Sequence, residues 1–218
     1  MIPIISHGSA GEHGYNYGDF EQYFLDICES HRDEKRALAF ALILYDLRDP
    51  QISKALHDPD YWNALDAISS KYLSVFSFHT TTSIPEVRTR ERTFYQMSRV
   101  IADQHESGKT LIEKYFNLDR QLKLPAILFF QVSNAEIIGS RLVQLQKKTT
   151  EESFLEIKEI LTGSAEAVSE VTEENYRNDH VIFQLIENNL NDRGIIMFAS
   201  AIINKAKSVK ELLSLFGA

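Results

Sequence analysis

The feature that most constrains the fold is a proline directly in front of an apolar run. The segment reads Leu124-Pro125-Ala126-Ile127-Leu128-Phe129-Phe130. Proline lacks a backbone N–H, so within a sheet it is confined to edges, bulges and the first residue of a strand. The run therefore predicts a buried strand that opens at the proline.

The residues that follow this strand predict a hairpin and then a helix. A short polar link, 131–136, leads to a second apolar segment at 137–145, which we interpret as the returning antiparallel strand. Apolar residues then recur at helical spacing from Glu151 to Val171. The predicted order for this half of the chain is strand, strand, helix.

An earlier segment predicts a parallel pair of strands. Residues 37–47 are almost continuously apolar, which is typical of a strand buried on both faces, although alanine and leucine also favour a helix. Asp58 and Pro59 supply a helix start. The alternating, aromatic-rich segment 72–78 is the next predicted strand. Strand, helix and strand in this order imply a right-handed crossover between parallel neighbours.

The remaining segments are predicted to be additions to this core. Residues 1–18 carry four glycines and are expected to form a flexible segment or a short edge strand. Asp19 is the expected cap of a helix that runs to Arg32. Apolar spacing predicts a helical insertion at 83–117 and a helical extension at 172–218.

Together these segments resemble the thioredoxin-like superfamily. Residues 37–78 resemble its central βαβ unit, and residues 122–171 resemble its closing ββα unit, with Pro125 at the position of the family's cis-proline. The resemblance implies an α/β fold with a three-layer sheet over residues 19–171, interrupted by the helical insertion. It also implies a cis peptide bond before Pro125.

The redox site of that superfamily has no counterpart in this chain. The family carries Cys-x-x-Cys after the central strand, where residues 45–51 read Tyr-Asp-Leu-Arg-Asp-Pro-Gln. A second alignment places residues 83–86 (Ser-Ile-Pro-Glu) at that position, again without cysteine. Dithiol exchange needs both an attacking thiolate and a resolving thiol. The resemblance therefore implies a redox-inactive member, which acts as a protein-interaction or assembly module.

Two other functional hypotheses come from individual residues. Cys28 is the single cysteine, so a thiol- or glutathione-dependent enzyme would have to use it, with Pro125 helping to hold the substrate backbone. On an amphipathic helix, however, a lone cysteine is more typically a small buried apolar group.

Ligand binding at the end of the central strand is the other hypothesis. Asp46, Arg48 and Asp49 follow that strand, and ligands dock at the carboxyl ends of strands in open α/β sheets. With Leu124 and Pro125 they form a predicted binding edge. The plainer interpretation of the three charges is a solvated turn with a local ion pair.

The amino-acid composition limits the classes of partner that the chain is expected to bind. The formal charge of −8 disfavours binding to nucleic acid or an anionic membrane, because such binding depends on basic residues. The seven histidines show no metal-ligand spacing, and no motif predicts a cofactor. One cysteine and no long apolar run favour a cytoplasmic protein. We expect a protein partner or self-association, through the insertion or the C-terminal helices.

Overall fold

A computed structural model describes residues 3–5, 15–16, 26–37, 39–45, 49–69, 72–80, 98–102, 124–133, 136–146 and 148–199. The helices in these ranges are α1 (26–33), α2 (Pro50–His57), α3 (Pro59–Ser69), α4 (Thr150–Ser169) and α5 (Asp179–Asp192). The strands are β1 (Pro3–Ile5), β2 (Tyr15–Asn16), β3 (Ala39–Leu44), β4 (Ser74–Thr80), β5 (Ser98–Ala102), β6 (Ala126–Ser133), β7 (Glu136–Gln144) and β8 (Met197–Ala199). The predicted mixed α/β class is confirmed.

All eight described strands belong to one mixed sheet, in the order β2-β1-β5-β4-β3-β6-β7-β8. Neighbours from β2 to β3 run parallel, and neighbours from β3 to β8 run antiparallel. The change of direction falls at β3, which pairs in parallel with β4 and antiparallel with β6. The strand–helix–strand and strand–strand–helix units predicted from the sequence therefore meet along β3.

Every residue of β3 is buried, which explains its unbroken apolar sequence. Alternate side chains point to opposite faces of a strand. On one face, Ala39, Ala41 and Ile43 join the large core cluster that also contains residues of α2, α3, α4 and α5. On the other face, Phe40 packs against His31 of α1. Covering both faces favours a strand over the helical alternative for this segment.

The helix start predicted at Asp58 is confirmed, but a second helix precedes it. Asp58 Oδ1 accepts hydrogen bonds from the backbone N–H groups of Asp60 and Tyr61, at 2.9 and 3.0 Å. The same Asp-Pro pair occurs nine residues earlier, at Asp49 and Pro50, where it begins α2. The alternatives considered for Asp49, ligand binding or a solvated turn, did not include this helix start, which the aspartate cap and the proline at the first helical position make locally.

Two peripheral predictions need correction where the chain is described, and a third agrees in part. Strands β1 and β2 fit the short edge strand that was one of the two expectations for residues 1–18, and β2 forms the sheet edge outside β1. Strand β5 lies within the expected helical insertion, where it pairs with β4 on one side and with β1 on the other. Strand β8 interrupts the expected helical extension, because these residues pair with the side of β7 that does not face β6. Residues 19–25, 83–97, 103–117 and 200–218 of these predictions lie outside the described residues.

The hairpin and the following helix agree with prediction in order, with tighter bounds. Strand β6 continues to Ser133 and β7 begins at Glu136, so the connection is shorter than the expected link 131–136. A capping box begins α4, in which the Thr149 side chain accepts from the Glu152 N–H and the Glu152 carboxylate accepts from the Thr149 N–H. No helix within the described ranges has the length and apolarity needed to cross a membrane.

Helix α5 packs tightly against β7 at Gly139. A Cβ atom placed on Gly139 would lie 2.7 Å from Cε2 of Phe183 and 2.5 Å from Oδ2 of Asp179. Phe183 is buried, so its ring has little room to move aside. At Gly163 in α4, the nearest atoms are side-chain atoms of Asn189 and Arg193, which are flexible.

We predict that Gly139→Ala lowers the free energy of unfolding by about 1–3 kcal/mol, because overpacking forces the Phe183 ring to shift. Gly163→Ala is the matched control and should change stability by less than about 1 kcal/mol, since improved helix propensity offsets the displaced side chains. Urea unfolding measures both variants. Equal losses for the two variants would contradict the packing assigned to Gly139.

Candidate functional site

Strands β3 and β7 end, and strand β6 begins, on the same side of the molecule, where the ends of the central strands line up. Leu44 pairs with Ala126, and Ala126 pairs with Gln144 on its other side. Pro125 precedes β6 at this row, and its peptide bond with Leu124 is cis, as the family resemblance implied. We call residues 49–51, 124–125 and 144–146 the Pro125 edge.

The backbone carbonyl of Pro125 is already engaged within the chain. It accepts a hydrogen bond from Gln144 Nε2 at 2.6 Å and another from the Leu145 N–H at 2.9 Å. A carbonyl oxygen has two lone pairs, so both are used. Pro125 is buried and Leu124 is half-buried. These bonds therefore hold the Pro125 backbone in place by contacts within the chain.

The beginning of α2 is also satisfied by side chains of the protein. Asp49 Oδ1 accepts from the N–H groups of Gln51 at 3.0 Å and Ile52 at 3.3 Å. Pro50 has no N–H to offer. Gln51 Oε1 accepts the Thr150 hydroxyl at 2.7 Å, which joins the beginning of α2 to the beginning of α4.

This arrangement has a direct chemical consequence. First-turn amides and the helix dipole are the groups that lower the pKa of a cysteine at a helix start. Here a carboxylate accepts from those amides, and residues 49–52 contain no thiol. The beginning of α2 therefore holds neither the nucleophile nor free donors for an anion.

The predicted binding residues are only partly described. Asp49 is the N-cap of α2, a role that the Asp-Pro sequence could have revealed. Leu124 and Pro125 lie at the Pro125 edge, whereas Asp46 and Arg48 fall outside the described residues. Ligand binding by these five residues stays a prediction. Sequence reasoning missed Gln51, Thr150 and Gln144, because the hydrogen-bond partners of these side chains are distant in sequence.

Cys28 lies on α1 and is half-buried. Burial raises the pKa of its thiol to about 12, an effect that the nearby Arg32 charge only partly offsets. The thiol is therefore protonated at neutral pH, and the thiolate is the reactive form. Helix α1 ends just before the beginning of β3, whereas Pro125 lies beside the end of that strand. These features suit the structural role expected for a lone cysteine on an amphipathic helix.

Apolar side chains are exposed at β8, on the strand and on the residue directly before it. Ile196 is 63% exposed and Phe198 is 52% exposed, while Met197 between them is buried. Phe198 pairs with Leu142 of β7, so these two side chains share a face of the sheet. We call Leu142, Ile196 and Phe198 the β8 strip. Because Met197 pairs with Val143, Ile196 stands beside the row that contains Gln144 and the Pro125 edge.

Comparison with known proteins gives no relative. No protein-family model, curated protein or solved structure matches this chain. Among the described residues, no group of three or more histidine, cysteine or acidic side chains is arranged to hold a metal ion.

We predict that Asp49→Ala lowers the free energy of unfolding by about 1 kcal/mol, because two amides at the start of α2 lose their acceptor. Asp58→Ala is a matched variant, since Asp58 makes the same pair of bonds at α3. Thermal or urea unfolding should give similar losses for both. If Asp58→Ala alone destabilises the protein, the cap assigned to Asp49 is wrong.

We also predict that Cys28 is almost inert in the folded protein. A rise of its pKa from 9.0 to about 12 reduces the thiolate fraction at pH 8. The reduction is about a thousandfold, and alkylation should slow accordingly relative to the urea-unfolded chain. Iodoacetamide labelling followed by mass spectrometry measures both rates. Equal rates in the folded and unfolded chains would show an accessible, ordinary thiol.

Proposed function

We propose that this chain is a non-catalytic, thioredoxin-like interaction or assembly module that binds a protein partner through the β8 strip. The observation that carries the proposal is the exposure of Ile196 and Phe198, which lie just before and within β8, the outermost described strand beside β7. Exposed apolar groups clustered on an edge strand are typical of interaction surfaces.

The order of the central elements supports the thioredoxin-like part of the proposal. Strands β4-β3-β6-β7 lie side by side, with β3 and β4 parallel and the β6–β7 hairpin antiparallel to β3. Helices α2 and α3 connect β3 to β4, and α4 follows the hairpin. This is the arrangement that the resemblance implies for residues 37–78 and 122–171.

The chemistry of the Pro125 edge supports a non-catalytic role. A thiol enzyme of this architecture needs an activated sulfur at the start of α2, where Asp49 and Pro50 stand instead. The alternative nucleophile, Cys28, has a raised pKa and lies on α1. The Pro125 carbonyl is engaged by Gln144 and Leu145, so it offers no free acceptor to a substrate peptide.

The β8 strip has the features of a surface that becomes buried when a partner binds. Its two most exposed members alternate with the buried Met197, so one face of the strand is anchored in the core while the other faces solvent. Covering large apolar side chains releases about 25 cal/mol per Å² of buried apolar area. An aspartate at either exposed position would place a charge in that interface at a large desolvation cost.

We predict that Ile196→Asp and Phe198→Asp abolish binding by the 218-residue chain while leaving its fold intact. Leu155→Asp is the matched control, because Leu155 is an equally exposed leucine on α4 rather than on the sheet. Affinity capture with quantitative mass spectrometry detects a foreign partner, and sedimentation velocity detects self-association.

The proposal requires that a partner or a dimer is lost in both strip variants and kept in Leu155→Asp. Circular dichroism and urea unfolding establish that each variant is folded. A wild-type chain that is monomeric and captures nothing would contradict the proposal. So would a partner that both strip variants retain.

A further inference from the structure

His31 joins three elements by its two ring nitrogens. Its Nδ1 lies 2.8 Å from the carbonyl oxygen of Ala37, just before β3, and its Nε2 lies 3.0 Å from the Ser74 hydroxyl at the start of β4. A carbonyl oxygen only accepts, so Nδ1 carries the proton and Nε2 accepts from Ser74. The bonds fix His31 as one neutral tautomer on α1.

The surroundings of the ring oppose a positive charge. His31 is fully buried, and its ring packs on Phe40 at 5.1 Å between centroids. Phe40 in turn packs on Phe76 and Phe130. Burial, with the nearby Arg36 charge as a second cause, lowers the pKa of His31 to about 3. The folded protein therefore keeps this ring neutral under mildly acidic conditions.

The charged and titratable groups around His31 lie on its own helix and on the turn that follows. Among described residues, β3 and β4 present Phe40, Ser74 and Phe76 to this region, none of which titrates. On α1 and the turn, these groups are Asp26, Cys28, Glu29, Arg32, Asp33, Glu34, Lys35 and Arg36. Arg36 is the buried one of these cations, and its Nη1 lies 3.8 Å from Glu34 Oε2.

We propose that His31 is an acid-sensitive latch, which holds α1 against β3 and β4 at neutral pH and releases this helix first on acidification. While α1 is closed, the Nε2 atom of His31 accepts a hydrogen bond from the Ser74 hydroxyl, so its lone pair is not available to bind a second proton. Once α1 lifts away, the imidazole enters water and binds a proton below its ordinary pKa of about 6.5. Re-closing then requires that proton to leave, so acid favours the open state.

We expect the latch to act locally, because the described residues of α1 bury few side chains. Within the described part of α1, the fully buried side chains are Ile27 and His31. Elements with few buried contacts open at lower free energy than the core of a domain. Helices α4 and α5, by contrast, contribute many residues to the large core cluster.

Hydrogen exchange on the full chain tests the latch. The reporting amides are those of Glu34 and Arg36, which donate to Ser30 O and His31 O. After correction for intrinsic exchange, their protection should fall about thirtyfold between pH 7.5 and 5.0, since opening takes up one proton. Protection in α4 should change much less. In His31→Gln the fall at α1 should disappear, whereas the exposed-site control His180→Gln should keep it.

Two exchange results would overturn the latch. One is unchanged protection at α1 in the wild type, and the other is an equal fall in α1 and α4, which indicates global acid unfolding. Long-range proton–nitrogen NMR spectra of wild-type His31 give a second test that needs no variant. They should show the neutral, Nδ1-protonated ring in the folded protein at pH 7.5 and at pH 5.0. A doubly protonated His31 in the folded state at pH 5.0 would also overturn it.

Discussion

The burial of β3 on both faces, between a parallel and an antiparallel neighbour, is the constraint on which the rest of the structure depends. Its backbone groups pair with β4 on one side and β6 on the other. Its side chains contact the layer of α2–α5 on one face and α1 on the other. The beginning of β3 lies by the His31 latch and its end by the Pro125 edge, so both sites are positioned by this strand.

The polar groups near the Pro125 edge already have hydrogen-bond partners within the chain, and this limits the chemistry that these groups can perform. Asp49, Asp58, Thr149 and Asn178 cap the starts of α2, α3, α4 and α5. The Pro125 carbonyl is likewise engaged inside the chain. A site whose donors and acceptors are matched internally has little left to stabilise a reacting group. Among the described residues, the exposed apolar side chains at β8 are a feature that this internal matching does not explain.

The parts of the fold that the sequence predicts are those with strong local signals. In three segments the residues themselves specify the element that forms. They are Pro125 with its apolar run, the apolar stretch that forms β3, and the Asp58-Pro59 helix start. The start of α2 carried the same signal at Asp49 and Pro50, and it was misinterpreted as a charged turn. Here the information was present in the sequence.

Other elements depend on pairing that no local pattern encodes. Strands β5 and β8 are short, and each exists because a neighbouring strand offers a free edge far away in sequence. The candidate site divides in the same way. Pro125 was predictable, whereas the Gln51–Thr150 and His31–Ser74 contacts join residues 99 and 43 positions apart. The exposure of Ile196 and Phe198 likewise follows from β8 being a strand rather than part of a helix.

The most direct test of this account is the pairing of β3 in solution, measured by cross-strand nuclear Overhauser effects on the full chain. We expect contacts that place Leu42 opposite Leu128 in an antiparallel pair and opposite Phe76 in a parallel pair. A β3 that contacts β6 in another register, or a helical segment at 39–44, would contradict the account, because both sites would then lose the strand that positions them.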